Sequence, residues 1–366
     1  MTQQTQIQVQ MPPRQQVLAM AQPHPRAETY PHLLRDFDWL YWPRRMSWRP
    51  LVGAILMLLV MFLIAPMVLI PIVLLPGALI ENGTHGLGDY VGQQMALEIP
   101  SPSAFLFMNL TLASAIPAGW LLMRYLHRLR FGWLWSVAAR FRWKFFAACL
   151  AISVLALGVS LGMSALLMGE EGLVGDPQPW TSQLTALAIV IALSTPLQAM
   201  GEEFAFRGYL LIGAGSFFGW VAEKTSLTPQ RARTVGTWVG ITVTALVFAA
   251  FHGAQNFPLF FDRFAFGFIA AVLVVRTGGM EAGIALHILN NLMAFALALA
   301  FDDIVKTLKV TEAPWENIPV TIVQNLVYLV VVMWVARRMG VARHTAAYDG
   351  AHEPSEHPTG QPLNTA

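Results

Sequence analysis

The sequence predicts an all-α membrane protein, a bundle of about eight transmembrane helices around a polar intramembrane cavity. Of the 366 residues, 55% are hydrophobic and only 12% are charged, about half the charged share of a soluble domain. Apolar runs recur at intervals of roughly 30 to 40 residues from Leu51 to Ala336, the pattern of one polytopic bundle. Ionisable side chains inside one of these runs predict the cavity.

Eight apolar runs are predicted to span the membrane. A spanning helix needs about 20 residues, so the sixth run is short and the first and fourth are long. Pro66, Pro71 and Pro76 are expected to kink the first, because each removes a backbone donor. In order, the predicted spans are Leu51–Ile80, Ala104–Met123, Phe145–Met168, Leu184–Leu211, Val235–Phe251, Phe264–Val275, Ala282–Phe301 and Ile318–Ala336.

The chain divides into three parts. Residues 1–50 are expected to form a cytoplasmic N-terminal segment, disordered where Gln and Pro dominate and interfacial from residue 30, where aromatics and arginines begin. Residues 51–338 form the transmembrane domain, and residues 339–366 are a polar tail that we expect to be disordered. No secretory signal is visible before the first span.

Basic residues in the connections predict the orientation. Connections 81–103 and 169–183 contain none, whereas connection 124–144 carries six and connection 213–234 also carries several. Because cytoplasmic loops are enriched in Lys and Arg, both termini are predicted to be cytoplasmic in an integral, multi-pass protein of the plasma (inner) membrane. Arginines and aromatics interleave at residues 126–143, which favours an interfacial segment over a nucleic-acid surface. Cys149, the one cysteine, excludes an internal disulfide.

The fourth predicted span contains three ionisable residues, Glu202, Glu203 and Arg207. An acidic residue at the centre of a spanning helix costs roughly 2.5–3.5 kcal/mol, so these residues are candidates for a functional site. Glu203 and Arg207 stand at i and i+4, a favourable order for an ion pair. Glu202 is rotated by about 100° from Glu203 and is left over. A buried structural network of all three is the alternative.

Two later spans carry further polar residues. Phe248 and His252 stand at i and i+4 at the end of the fifth span, where a lone histidine also suits a helix cap or an interface. His287 and Asn291 share one face of the seventh span and are expected to face the interior. Asn290 is expected to face elsewhere, toward another helix.

The three motifs Glu-Glu-x-x-x-Arg, Phe-x-x-x-His and His-x-x-x-Asn occur in this order on separate apolar segments. They resemble those of the CAAX protease and bacteriocin-processing (CPBP, or ABI) family of intramembrane proteases, and the resemblance covers residues 184–301. It implies an intramembrane endopeptidase that hydrolyses a peptide bond of a membrane-embedded or lipidated protein or peptide. The lipid bilayer is its other expected partner, and no nucleic acid is expected to bind.

The resemblance also implies a role for each motif residue. Glu202 is expected to be the general base that activates a water molecule, and His252 to help hold that water. His287 and Asn291 are expected to donate to the oxyanion. The remaining motif residues, Glu203, Arg207 and Phe248, are expected to support the site structurally.

Metal dependence stays open at this stage. Glu202, His252 and His287 have the chemistry of a catalytic zinc site, and family members are often labelled metalloproteases. No His-Glu-x-x-His helix is present in the sequence, so a metal-independent or metal-ambiguous site is favoured, with a divalent metal such as zinc as the alternative cofactor.

Two other functions compete with proteolysis. A non-catalytic relative could act as a bacteriocin-immunity or scaffold protein, although no motif residue is missing. A transporter could use Glu202 and Glu203 as a proton relay, which gives no reason for the His-x-x-x-Asn motif. One difficulty remains: the predicted spans place His252 near the outer end of the fifth helix, whereas Glu202 lies about 27 Å down the fourth.

Overall fold

The computed structural model describes Phe37 and residues 48–168, 177, 179–253, 255–301 and 304–345. Within these residues the regular elements are all helices, so the predicted all-α bundle is confirmed. Residues 1–30, most of the predicted interfacial segment and residues 346–366 of the tail lie outside the described residues. The division into three parts therefore stays a prediction.

Twelve helices form the described part of the chain, and eight helical runs are long and apolar enough to cross a membrane. These eight runs are α1, α3, α5, the continuous run of α6 and α7, α8, α9, α10 and α12. In chain order the helices are α1 (Arg49–Asn82), α2 (Leu87–Met95), α3 (Pro102–Leu126), α4 (Gly132–Trp135), α5 (Trp143–Met168), α6 (Ser182–Glu203), α7 (Leu211–Glu223), α8 (Pro229–Ala250), α9 (Phe257–Thr277), α10 (Glu281–Ala300), α11 (Ile304–Leu308) and α12 (Asn317–Arg338).

Helix α1 remains one continuous helical run although it contains three prolines. Two π-helical turns, Val60–Ile64 and Ile70–Leu74, interrupt the α-helical pattern near Pro66, Pro71 and Pro76. A wider turn accommodates a residue that cannot donate a backbone hydrogen bond. The prolines therefore leave a single helical run.

The fourth span is longer than predicted. A π-helical segment, Phe204–Leu210, joins α6 to α7, and the run ends at Glu223 rather than Leu211. Most of the predicted connection 213–234 is therefore helical, and α7 and α8 form a hairpin with a turn at residues 224–228. The fourth span has 42 residues and measures about 63 Å, so at least one of its ends lies beyond a hydrocarbon core of about 30 Å.

The predicted start of the sixth span was wrong by seven residues. Helix α9 begins at Phe257, because the side chain of Asn256 accepts a hydrogen bond from the backbone N–H of Leu259 and Pro258 occupies the first turn. This earlier start places Asp262 and Arg263 inside the span. Two charges that the sequence put in a loop are thus part of the bundle.

Two helix pairings determine where the polar residues meet. Helix α10 runs antiparallel to α6, so that residues 287 and 291 face residues 203 and 198. Helix α8 pairs with α7 and ends level with Phe206, whose ring lies 5.3 Å from Phe248 and 5.8 Å from Phe251. His252 therefore lies at the level of the two glutamates, which removes the difficulty over its depth.

Candidate active site

One cavity of about 250 Å³ contains most of the residues that the sequence singled out. The wall includes Glu202, Phe248, His252, His287 and Asn291. The cavity extends beyond the predicted space between the fourth, fifth and seventh spans, because α3, α9, α11 and α12 also line it. The other lining residues are Met108, Leu112, Gln198, Gln255, Leu259, Asp262, Arg263, Phe266, Asn290, Ala294, Phe295, Thr307, Leu308, Val310, Gln324 and Asn325.

Behind the cavity wall, Glu203 and Arg207 form a buried ion pair. Arg207 Nη1 lies 3.0 Å from Glu203 Oε1, and the two side chains are 1% and 0% exposed. Among the described residues no oxygen accepts a hydrogen bond from Arg207 Nη2. Instead, the ring of Phe248 lies 3.8 Å from the guanidinium carbon, an arrangement that stabilises a cation. Phe248 therefore supports the pair directly.

The backbone at this point allows the tight packing. Arg207 belongs to the π-helical segment Phe204–Leu210, a feature that is frequent at functional sites. Gly283 of α10 faces Glu203, and a Cβ atom there would lie 2.7 Å from Glu203 Oε2. Only a glycine lets α10 approach the carboxylate this closely.

His287 lies between the two carboxylates. Its Nδ1 is 2.9 Å from Glu203 Oε1 and its Nε2 is 3.4 Å from Glu202 Oε2. An Nδ1–H that donates to Glu203 fixes the orientation of the ring and leaves Nε2 toward Glu202. Glu203 is 0% exposed, whereas the Glu202 side chain is 11% exposed. Glu202 is thus the carboxylate that a water in the cavity can reach.

His252 is held by the helix that precedes it. Its Nδ1–H donates to the backbone carbonyl of Phe248 at 2.8 Å, so that Nε2 can accept a hydrogen bond. The surrounding protein removes water and lowers the pKa of His252 below 6.5, although Glu202 acts in the opposite direction. The residue keeps exposed surface, as expected for a group on an open cavity.

Asn291 contacts α6. Its Nδ2 donates to Oε1 of Gln198 at 3.0 Å, a partner that no motif predicted. The neighbouring Asn290 also lines the cavity, so the expectation that it faces elsewhere was wrong. Both amides therefore belong to the polar wall.

Sequence reasoning missed several further polar residues of the wall, among them Gln198, Asp262 and Arg263. Gln198 stands four residues before Glu202 and so shares its helix face, a signal that the sequence contains. Asp262 accepts a hydrogen bond of 2.5 Å from Thr321 on α12, and Arg263 Nη1 lies 3.6 Å from Asp262 Oδ2. The predicted spans placed Asp262 and Arg263 in a loop, because the predicted sixth span began at Phe264 whereas α9 begins at Phe257.

The predicted zinc ligands do not form a metal site in the described part of the chain. Glu202, His252 and His287 line the same cavity, yet no group of three His, Cys, Asp or Glu side chains among the described residues is close enough to hold an ion. The Nδ1 of His287 and the Nδ1 of His252 are already engaged by Glu203 and by the Phe248 carbonyl. Such Nδ1 contacts are also common for histidines that bind a metal through Nε2, so metal dependence stays a prediction.

Comparison with known protein families places this site in context. Residues 181–293 match the family model described as "Rce1-like: Type II CAAX prenyl endopeptidase Rce1-like". This segment contains the Glu-Glu-x-x-x-Arg, Phe-x-x-x-His and His-x-x-x-Asn motifs in full. Comparison with the curated proteins and with the solved structures found no match. At the family level the match supports an intramembrane endopeptidase that acts on membrane-associated proteins. Residues 181–293 thus match an Rce1-like model, and the predicted resemblance to the CPBP family of intramembrane proteases is confirmed over this part of the chain.

Proposed function

We propose that the protein is an intramembrane endopeptidase that uses a water molecule activated by Glu202 to hydrolyse a peptide bond. The observation that carries the proposal is the series of contacts from Arg207 through Glu203 and His287 to Glu202 at the wall of the cavity. The series neutralises one buried carboxylate and leaves the other facing the cavity. A structural network alone gives no reason for leaving Glu202 accessible.

The first chemical step is the attack of water. Glu202 accepts a proton from the water molecule while the oxygen of that water bonds to the carbonyl carbon of the substrate. His252 Nε2 accepts a hydrogen bond from the other O–H of the water, which stays intact, and holds the molecule in place. The carbonyl oxygen becomes an oxyanion.

His287 and Asn291 stabilise the oxyanion in this proposal. A histidine donates from Nε2 as well as Nδ1 only when both nitrogens carry hydrogen, and each nitrogen of His287 has a carboxylate oxygen within 3.4 Å to balance that charge. Glu202 then returns its proton to the leaving nitrogen as the carbon–nitrogen bond breaks. The products are a carboxylic acid and an amine, and the acid ionises by giving its proton to the released amine.

The substrate class follows from the membrane setting and the family. We propose a membrane-embedded or lipidated protein or peptide as the substrate. The description of the matched family, "Type II CAAX prenyl endopeptidase", makes prenylated CAAX proteins one candidate group. No step of the proposed reaction requires a metal.

The experiment offers purified protein a library of membrane-anchored peptides. We expect the wild type to cleave and Glu202→Gln to be inactive but folded, because Gln keeps the volume and loses the proton acceptor. Activity should survive chelation with 1,10-phenanthroline, whereas a zinc enzyme would be inhibited. Peptide binding without cleavage by the wild type would instead indicate an immunity or scaffold protein, and proton-coupled transport would indicate the transporter.

A further inference from the structure

Gln198 lies on α6 one turn before Glu202, outside every motif of the sequence. It is 6% exposed and lines the cavity. Its Oε1 accepts the hydrogen bond from Asn291 Nδ2 at 3.0 Å. A polar side chain buried in a membrane bundle is costly unless it has a partner, and Asn291 is that partner.

The contact belongs to a regular pattern across two helices. Gln198 and Glu202 are four residues apart on α6, and His287 and Asn291 are four residues apart on α10. Because the helices are antiparallel, Glu202 faces His287 at 3.4 Å and Gln198 faces Asn291 at 3.0 Å. The second pair lies one helical turn, about 5.4 Å along the axis, from the pair that contains the base.

The second pair restricts a side chain that would otherwise rotate. The terminal torsion of Asn has a broad range of allowed angles, and a fixed acceptor selects one orientation of its amide plane. With one N–H of Nδ2 donated to Gln198, the other N–H remains for a ligand. Donors aimed in advance at a developing charge need no reorganisation during the reaction.

We infer that Gln198 is a positioning residue that orients Asn291 for donation to the oxyanion, a role that rests on the proposed function. Gln198 itself need not touch the substrate. Its contribution should therefore appear in the turnover number and should depend on Asn291.

The test is a double-mutant cycle on a membrane-anchored peptide that the wild type cleaves. We expect Gln198→Met, which keeps the length and removes the acceptor, to lower kcat about tenfold, the effect of one lost hydrogen bond, with little change in KM. Asn291→Ala should lower kcat by roughly 10²–10³-fold. In the Asn291→Ala background, Gln198→Met should cause no further loss.

Gln324→Met is the matched control, because Gln324 is a second buried carboxamide on the wall, on α12. Its effect, of whatever size, should multiply with that of Asn291→Ala. If Gln198→Met lowered kcat equally in the wild-type and Asn291→Ala backgrounds, or changed only KM, this inference would be overturned. The proposed function would stand in either case. A folded wild type that cleaves no peptide would overturn the proposed function and this inference together.

Discussion

The two adjacent glutamates have different surroundings, and this difference is the basis for their different proposed roles, structural for Glu203 and catalytic for Glu202. Glu203 is buried between Arg207 and His287, whereas Glu202 reaches the cavity and has His287 as its nearest ionisable partner. The sequence already indicated this split, because adjacent helical residues point about 100° apart. It could not indicate that His287 joins the two carboxylates, since that contact connects residues 84 positions apart.

Replacement of Glu203 should affect stability first. Glu203→Gln leaves the cation of Arg207 buried without a counter-charge, and the loss of one partner from a buried pair costs roughly 3–5 kcal/mol. We expect a lower midpoint of thermal unfolding in detergent than for Glu202→Gln. The double variant Glu203→Gln/Arg207→Met should recover part of the loss, because it removes the unpaired charge. Equal unfolding midpoints for the two single variants would favour a purely structural network.

Replacement of Arg263 should shift the acid limb of the pH–rate profile, which we assign to the protonation of His252. Neutral His252 is the form that accepts a hydrogen bond from water, so activity is present above the pKa of His252 and is lost below it. Burial lowers that pKa from its usual value, and Arg263 contributes in the same direction, whereas Glu202 raises it. Arg263→Gln should therefore raise the pKa and move the acid limb of kcat/KM toward higher pH.

The matched control is Arg276→Gln, which removes an exposed arginine at the other end of α9. This variant should leave the acid limb in place. An unchanged limb in Arg263→Gln, or a shift toward lower pH, would contradict the assignment of the limb to His252.

At the scale of the helices, local patterns predicted the number and order of the spans but not their partners. The apolar runs and the three motifs depend on neighbouring residues, which the sequence displays directly. The length of the fourth span depends on α7 packing against α8, a contact between distant residues. For the same reason the sequence located His252 at the end of its helix but misjudged its depth.

The hairpin of α7 and α8 depends on glycines at its contact. A Cβ atom on Gly236 would lie 2.4 Å from the Cα atom of Gly219, so Gly236→Ala should force the helices apart at a cost of roughly 1–3 kcal/mol. Because α8 carries Phe248 and ends beside His252, cleavage should fall together with thermal stability. Gly158→Ala on α5 meets no atom within 4 Å and should lower neither, because alanine is the better helix former. Full activity of Gly236→Ala would show that the hairpin does not position His252.

At the scale of the whole molecule, the orientation in the membrane remains a prediction. Cysteines at Gly88 in α2 and at Lys224 in the α7–α8 turn should be labelled by an impermeant reagent from opposite sides. The native Cys149 is buried, so the wild type provides a low background. Labelling of both positions from one side would contradict the predicted topology.

Helix α8 ends at Ala250, and this early end bears on the supply of water, the second substrate of a hydrolase. Residues 251–253, 255 and 256 leave the helical conformation at the level of Glu202, where Asn256 bonds to Thr311 and Ala313. In a bilayer such backbone persists only inside protein or beside a water-filled space. Every turnover consumes one water molecule, which the hydrocarbon around the bundle cannot supply. We therefore expect bulk water to reach Glu202 along the same break in the helix that brings His252 to the carboxylate.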